Sequence, residues 1–392
     1  MKNRVTNRLN PSGEGYPSQH KIILFDQIVS AFTNYIMIFI PMALGEWQSL
    51  GQLVLFQSLY ALFIGISRAA FGTTQIVRSD LFQGNKFLGL GILLGLVSGA
   101  IASRFSTSLG IEGHILILIF LFPIIQDVLR FERISKKNPG KALASDVIWL
   151  FFSMVFFTFS KDSSLNLTTS LVISWAAGAS PASLYLLNKR FPKTFLSSVK
   201  SGERISAIYL LRIGATALIS EMNTITVNWL LILTNSATIL GEFRFFQISF
   251  LPIAFLINLN RIILTPYFRD GDNRSILIWL KKQYKLRLCF YMLGFLVIIV
   301  LRDSDFQTIF ITFLTLIAIE LAFKRNLIFQ RFMATGEEVF ALKNIVLYYL
   351  TSVIFFLVFS RFGAVLYLSV ALVLVELFAY IVANSRLFRK HV

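Results

Sequence analysis

The sequence predicts an all-α polytopic membrane protein of about twelve transmembrane helices, in two six-helix bundles related by a pseudo-two-fold axis along the membrane normal. Three observations carry this expectation: apolar stretches long enough to cross a bilayer recur along nearly the whole chain, connections rich in Lys and Arg alternate with poor ones, and the second half repeats features of the first. The 392 residues are 56% hydrophobic and only 15% charged, with a mean hydropathy of +0.70. An ordinary soluble domain carries roughly 25% charged residues, so composition argues against a soluble enzyme. With 9 Pro, 22 Gly and 1 Cys the chain is neither collagen-like nor disulfide-built. The lone Cys289 can close no intrachain bridge.

A helix needs about 20 apolar residues to cross a hydrocarbon core of roughly 30 Å. In chain order the spans are expected at 22–45, 51–72, 86–103, 113–131, 143–160, 167–187, 205–234, 240–266, 284–301, 306–323, 340–359 and 362–384. Their apolar runs are too continuous for the alternating strands of a barrel, and a helix satisfies its own backbone polar groups in lipid. The first 20 residues, polar and turn-rich with Pro11, Gly13, Gly15 and Pro17, read as a disordered cytoplasmic tail. They are not a cleavable signal, since the apolar run after them is too long and lacks a small-residue cleavage pattern.

Lys and Arg settle the expected orientation, because short basic loops stay on the cytoplasmic side. With the N-terminus inside, the inner connections hold about 28 of the 37 Lys and Arg, and the outer ones about four: Arg104, Lys161, Arg302 and Arg361. Both termini are therefore expected in the cytoplasm of a cell whose plasma (bacterial inner) membrane the chain crosses many times. The net charge of +17 then reflects membrane orientation rather than nucleic-acid binding.

At an offset of 190 positions, Gly51 falls on Gly241, Phe56 and Gln57 on Phe246 and Gln247, and Asp80 on Asp270; at 196, Asn188 and Arg190 fall on Asn384 and Arg386. The order and near-constant offset indicate two repeats of six spans. An even number enters the membrane twice in the same orientation, which gives an axis along the normal and a candidate site at mid-membrane depth between the bundles. The expected organisation is a cytoplasmic tail at 1–20, a first bundle at 21–188, a basic linker at 189–203, a second bundle at 204–385 and a tail at 386–392.

Ionisable residues inside spans cost roughly 2.5–3.5 kcal/mol each on insertion scales and so face protein, a partner or a water-filled cavity. On the cationic side these are Arg68, Arg212 and Arg261, read as a positive cavity against the alternative of snorkelling to the inner headgroups. Arg244 and Lys343 lie nearer the surfaces, where snorkelling is the better reading. The stretch SEMNTITVNW places Glu221, Asn223 and Asn228 in the middle of the seventh span. A carboxylate there is a proton site, a cation ligand or the partner of an Arg. Asn34 lies at similar depth in the first span, with Asp26 near the inner end, so the first and seventh spans are the expected cavity walls. Asp127 and Glu320 occupy matching places, each one turn before a cation, Arg130 and Lys324. A helix-end pair is the plain account and a transport gate the sharper one. Pro123, Pro181, Pro252 and Pro266 are candidate kinks. Gly91, Gly95 and Gly99, four residues apart, form a ridge for close helix packing rather than a nucleotide loop.

The sequence has no GxxxxGK[ST] loop, and its 3 His are scattered, so neither a P-loop ATPase nor a His-based metal or catalytic site is indicated. Asn166–Thr168 matches a glycosylation sequon, which has meaning only in a glycosylating host. No cofactor is expected, although Glu221 leaves room for a coupling H+ or Na+. Transport is favoured over catalysis.

FDQIVSAFTNYIMIFIPMALGEWQSLGQLVLFQSLYALFIGISRAAFGTTQIVRSD, residues 25–80, resembles the opening of polysaccharide-export flippases of the multidrug/oligosaccharidyl-lipid/polysaccharide exporter superfamily. QDVLRFERISKKNPGKALASDVIW, residues 126–149, resembles the fourth span, basic loop and fifth span of O-antigen and teichoic-acid exporters. The resemblance implies a V-shaped, MATE-like exporter fold. It also implies movement of a polyprenyl-diphosphate-linked oligosaccharide to the outer leaflet, with membrane lipids and polysaccharide-assembly enzymes as further partners and nucleic acid as none. Arg suits a diphosphate because its planar fork grips phosphate oxygens bidentately. Asn34, Gln57, Asn223, Asn228 and Gln247 supply amides for sugar hydroxyls. The rivals are a cation-coupled small-molecule efflux antiporter of the same superfamily, which should have an acidic, aromatic cavity; a membrane glycosyltransferase or polymerase, which should have a large outer loop; and a non-transporting scaffold.

Overall fold

The computed structural model describes residues 16–68, 85–136, 138–160, 164–187, 207–250, 252–253, 256–257, 260, 264, 267–268, 271–302, 305–335 and 337–389. Among them every regular element is a helix. The first half comprises α1 (Tyr16–Leu44), α2 (Trp47–Ser67), α3 (Asn85–Ser103), the single turn α4 (Ser106–Leu109), α5 (Gly113–Ile119), α6 (Leu121–Ser135), α7 (Pro139–Ser160) and α8 (Leu167–Leu187). The second comprises α9 (Ala207–Thr234), α10 (Ala237–Ile248), α11 (Asn273–Leu301), α12 (Phe306–Ala334), α13 (Glu338–Ser360) and α14 (Val365–Arg389).

Eight stretches, counting α5 and α6 as one, are long and apolar enough to cross a membrane; Ile28–Leu44, Leu88–Ser103 and Met222–Thr234 are shorter apolar runs within α1, α3 and α9. The eighth expected span, 240–266, begins as α10. The repeat is visible in helix ends: α1 and α9 finish, and α2 and α10 start, 190 positions apart, while α8 and α14 start 198 apart. Several helices outrun the predicted spans. Tyr16 is already helical, where the tail was expected to reach residue 20, and α14 continues to Arg389. α11 begins at Asn273 rather than 284, capped by the Asp272 carboxylate accepting from the Ser275 N–H at 3.0 Å. Apolar content marks only the part of a helix that lies in hydrocarbon; capping and basic first turns extend it beyond. Residues 1–15 of the tail, and the linker 189–203, lie outside the described residues.

The fourth span is two helices, broken at Phe120. Pro123 has no N–H for the Ile119 carbonyl, which accounts for the break; the Ser183 hydroxyl donates to the Phe122 carbonyl at 3.2 Å. The glycine ridge packs as expected: α3 lies so close to α5 and α6 that a Cβ on Gly95 would sit 2.9 Å from the Leu121 Cα, and one on Gly99 would strike the Ile117 backbone. Phe56, Tyr60, Phe120, Trp149 and Trp175 form an aromatic core in the first half; Phe243, Phe245, Phe246, Phe250 and Phe356 form that of the second. Outside these cores the helices turn large apolar side chains outward, among them Phe159, Leu233 and Phe306, as lipid-facing surfaces do.

Candidate functional site

One end of the molecule carries the turns at 45–46, 110–112, 235–236 and 361–364 and few cations; at the other, α6 and α12 end in basic residues and α11 begins with them. Between described residues, the extensive contacts joining the halves are those of α2 with α9 and α10. They gather toward the cation-poor end. There α2 and α10 cross in backbone contact, because the repeat-related glycines remove the intervening Cβ atoms: one on Gly51 would fall on the Ala237 carbonyl, and one on Gly241 on that of Trp47. Trp47 stacks edge-on with Phe245 at 5.3 Å, Phe105 lies 4.4 Å from Trp229, and the Arg302 guanidinium sits 4.6 Å over the Trp47 ring.

Below this crossing runs a polar seam. Asn228 of α9 donates through Nδ2 to the Ser58 hydroxyl of α2, which in turn donates to the Val54 carbonyl at 2.7 Å. The Arg244 guanidinium of α10 donates to Asn228 Oδ1, from Nε at 3.0 Å, and to Gln247 Oε1. Alongside, Gln57 donates to the Asn34 carbonyl. Asn228 and Gln247 are thus brought together on Arg244, and Gln57 meets Asn34 within the first half, while Asn223, a turn away on α9, is buried with its Oδ1 unsatisfied. Asn34 Oδ1 is buried and unsatisfied as well. Arg244, which the sequence reading sends to the headgroups, instead turns inward onto neutral amides; the Asn228 and Gln247 oxygens hold it there. Lys343, by contrast, is exposed.

Arg68 lies elsewhere. It pairs with Asp127 at the basic end, Nη2 to Oδ1 at 2.7 Å and Nε to Oδ1 at 3.0 Å, with the Arg side chain 39% and the Asp side chain 3% exposed. Asp127 therefore has Arg68 as its nearer partner, and the expected Arg130 only at 3.6 Å. Arg130, 1% exposed, is the hub of this cluster: it pairs with Asp26 and sets Nε 3.0 Å from Asp146 Oδ2, tying α6 to α1 and α7. Gln126 donates to Asp146 Oδ1 at 2.6 Å. In the second half Glu320 takes Arg287 at 3.0 Å and the Tyr291 hydroxyl at 2.6 Å, with the expected Lys324 further off at 3.9 Å. Arg325 pairs with Glu376 at 2.8 Å, and Tyr348 donates to the same carboxylate at 2.8 Å. Of the remaining expected residues, Arg261 lies outside the described residues, and Arg212 and Glu221 are described only as helical backbone of α9.

Asp146 and Glu376 were not foreseen: Glu376 carries the signal that singles out Glu221, a carboxylate well inside an apolar run, whereas Asp146 stands near the start of its run. Arg287 and Arg325 are harder to find, because each sits where an apolar run grades into a basic connection. Among the described residues no group of three or more His, Cys, Asp or Glu is placed to hold a metal ion.

No protein-family model matches the sequence, and no curated protein matches it. Solved structures do. An inward-facing multidrug-resistance MATE family transporter of the MOP superfamily matches with a TM-score of 0.61 over 92% of this chain and 94% of its own, at 14% identity. An outward-facing multidrug-resistance MATE transporter matches at 0.56 and 12% identity over 93% and 94%. A MOP superfamily transporter from Pyrococcus furiosus, described as having a binding pocket of reversed polarity, matches at 0.62 and 14% identity over 94% of this chain and 95% of its own. The chain therefore has the fold of the MATE transporters of the MOP superfamily, a multi-pass membrane architecture of two helical bundles.

Proposed function

We propose that the protein is a flippase that moves a polyprenyl-diphosphate-linked oligosaccharide from the inner to the outer leaflet by alternating access, for cell-surface polysaccharide synthesis. The observation that carries the reading is the seam. Its described polar groups are one arginine and a set of neutral amides and hydroxyls, and Arg244 meets only neutral acceptors there. A half-buried guanidinium without a counter-ion favours an anion arriving from outside. Asn34, Gln57, Asn223, Asn228 and Gln247 suit sugar hydroxyls, and the unsatisfied amide oxygens of Asn34 and Asn223 are acceptors with capacity to spare. Arg68, Arg212 and Arg261 remain in the proposed set as contacts for the diphosphate nearer the basic end, with Glu221 as the proposed site of a coupling H+ or Na+.

The proposed topology sets the basic end in the cytoplasm, both termini with it, in the plasma membrane. On that reading, halves that meet toward the cation-poor end form an inward-facing state, which accords with the higher TM-score to the inward-facing neighbour. An inside-negative potential would help carry the anion outward by roughly 2.3 kcal/mol per charge per 100 mV. The rival, efflux of organic cations in the manner of a multidrug transporter, is disfavoured by a cation at the seam.

The test is flipping of a fluorescent polyprenyl-diphosphate oligosaccharide in proteoliposomes. Arg244→Gln is expected to slow it about tenfold to a hundredfold, since hydrogen bonds to a charged group contribute about 1.5–3 kcal/mol. Wild-type rates in Arg244→Gln, and again in an Arg68→Gln/Arg212→Gln variant, would overturn the anionic grip. Movement of organic cations with none of the lipid would establish the rival. An unchanged transport rate in Glu221→Gln across pH and cation gradients would remove the coupling role.

A further inference from the structure

A groove of about 440 Å³ lies between α11 and α12, within the roughly 300–1,000 Å³ of ordinary ligand sites. It belongs to the flank of the second half: no residue of α1, α2, α9 or α10 lines it. Its walls change character along its length. Toward mid-membrane they are Leu288, Leu316, Ile317 and Leu321; toward the basic end they are Tyr284, Arg287 and Lys324. Helical spacing continues the same faces: Lys281 stands one turn beyond Tyr284 on α11, and Arg331 seven residues beyond Lys324 on α12. Glu320 is the lone carboxylate in the lining, and it is already held by Arg287 and Tyr291. Arg287 keeps a buried Nε without a hydrogen-bond partner. The groove is open because α11 packs so little. Only 11% of its apolar window is buried, the lowest value of the eight candidate spans.

We infer that this groove is a specific site for one anionic phospholipid of the leaflet at the basic end, its acyl chain along Leu288 and Ile317 and its phosphate between Lys281, Arg287 and Lys324. The charge pattern selects this occupant. A cationic mouth over an apolar trough complements a molecule that carries phosphate and hydrocarbon in that order, and basic pockets between transmembrane helices recognise such headgroups. Tyr284 at the mouth suits the interfacial depth at which tyrosines gather. A neutral phospholipid would leave the excess cation unanswered, and a lipid-linked cargo engaged at the seam between the halves lies away from this flank. The site therefore stands apart from the transport reading.

The experiment uses the full chain in nanodiscs of phosphatidylcholine with a minor fraction of phosphatidylglycerol, and native mass spectrometry counts retained lipids. Wild type is expected to retain one phosphatidylglycerol in preference to phosphatidylcholine. Lys324→Gln should weaken that preference about fivefold and Lys281→Gln/Lys324→Gln about thirtyfold, following the usual contribution of a basic residue near an anionic surface. Both lysines are surface cations whose loss leaves the Arg287–Glu320 pair intact, and a melting curve checks folding. Ile317→Trp, which fills the trough, should abolish retention without touching a charge. Equal retention in the lysine and tryptophan variants would mean annular lipid only and would overturn the site. Displacement of phosphatidylglycerol by equimolar undecaprenyl phosphate would overturn the occupant and assign the groove to the cargo's tail. Neither result depends on whether the protein flips lipid-linked sugar.

Discussion

Replacing Arg130 with Met tests what holds the first half together. The guanidinium is 1% exposed and faces Asp26 and Asp146, both wholly buried, with Asp127 at 3.6 Å. Met keeps the length of the stem but removes the charge from the centre of three carboxylates. Breaking a buried pair by deleting one partner costs about 3–5 kcal/mol, because the remaining charge is left desolvated. Asp127 still has Arg68, so the loss falls mainly on Asp26 and Asp146. For a unit the size of one half, each kcal/mol moves a melting midpoint by roughly 2–4 °C, which puts the expected fall at about 6–20 °C. Arg68→Gln provides the contrast: its side chain is 39% exposed, water screens what it loses, and it should cost well under half as much. Adding Asp146→Asn to Arg130→Met should recover part of the loss, with a coupling of about 0.5–3 kcal/mol. The assay is thermal unfolding of purified protein in nanodiscs. A midpoint for Arg130→Met within about 2 °C of wild type, or an equal fall for Arg68→Gln, would refute the reasoning.

Other outcomes follow from the same geometry. Gly51→Leu drives a side chain into the Ala237 backbone, so it should part α2 from α10 and raise labelling of a cysteine placed at Ala237 severalfold; unchanged labelling would show that the crossing tolerates a wedge. Asn228→Leu removes an acceptor from Arg244 and the donor to Ser58, and should cost about 1–3 kcal/mol in melting experiments, against under 1 for Thr234→Ala at the exposed end of the same helix. Asp272 and Asp305 cap α11 and α12, and hydrogen bonds from Ser275 and from Thr308 hold both carboxyls below the usual carboxylate range. A depressed folded-state pKa stabilises above the unfolded value of about 3.9 and is lost as pH falls through the lower folded value. Hydrogen exchange in the first turns of α11 and α12 should therefore rise below about pH 4 in wild type, and be raised already at pH 7 in Asp272→Ala and Asp305→Ala.

The helices and their order were legible because a bilayer imposes one length and one polarity on every span; the break at Phe120 and the crossing at Gly51 and Gly241 had their residues in view as well. The partners were not. Asp127 and Glu320 each have a cation one turn along their own helix, but a helix-surface neighbour at that spacing competes with any arginine that another helix points at the same carboxylate. Arg287, 12% exposed against 52% for Lys324, wins Glu320 because less water screens the pair, whereas Arg68 takes Asp127 because Arg130 is drawn to Asp26 and Asp146. Arg244 misled for a related reason. Depth from the end of a span says how far a guanidinium can snorkel, but not whether Asn228 waits on the next helix.

The two kinds of polar contact are distributed unequally, and that inequality bears on motion. The ion pairs described above, and Arg302–Glu242 with them, each join groups of one half: Arg68–Asp127 and Arg130 with its aspartates in the first, Arg287–Glu320, Arg302–Glu242 and Arg325–Glu376 in the second. Across the seam stand a neutral hydrogen bond, Asn228 to Ser58, and aromatic and cation–π contacts around Trp47. Severing a buried ion pair costs about 3–5 kcal/mol, whereas a neutral hydrogen bond contributes only about 0.5–1.5 kcal/mol net. A rocking movement that opens the seam and leaves the halves intact is then the least costly large displacement available to this fold, because it breaks the weak class of contact and spares the strong one. An engineered ion pair across the crossing, Ser58→Asp facing Asn228→Arg, would invert that ordering. It should hold the halves shut at the cation-poor end, raise the melting midpoint and stop transport together. A variant that melts higher yet transports at the wild-type rate would mean that the seam is not where the molecule opens.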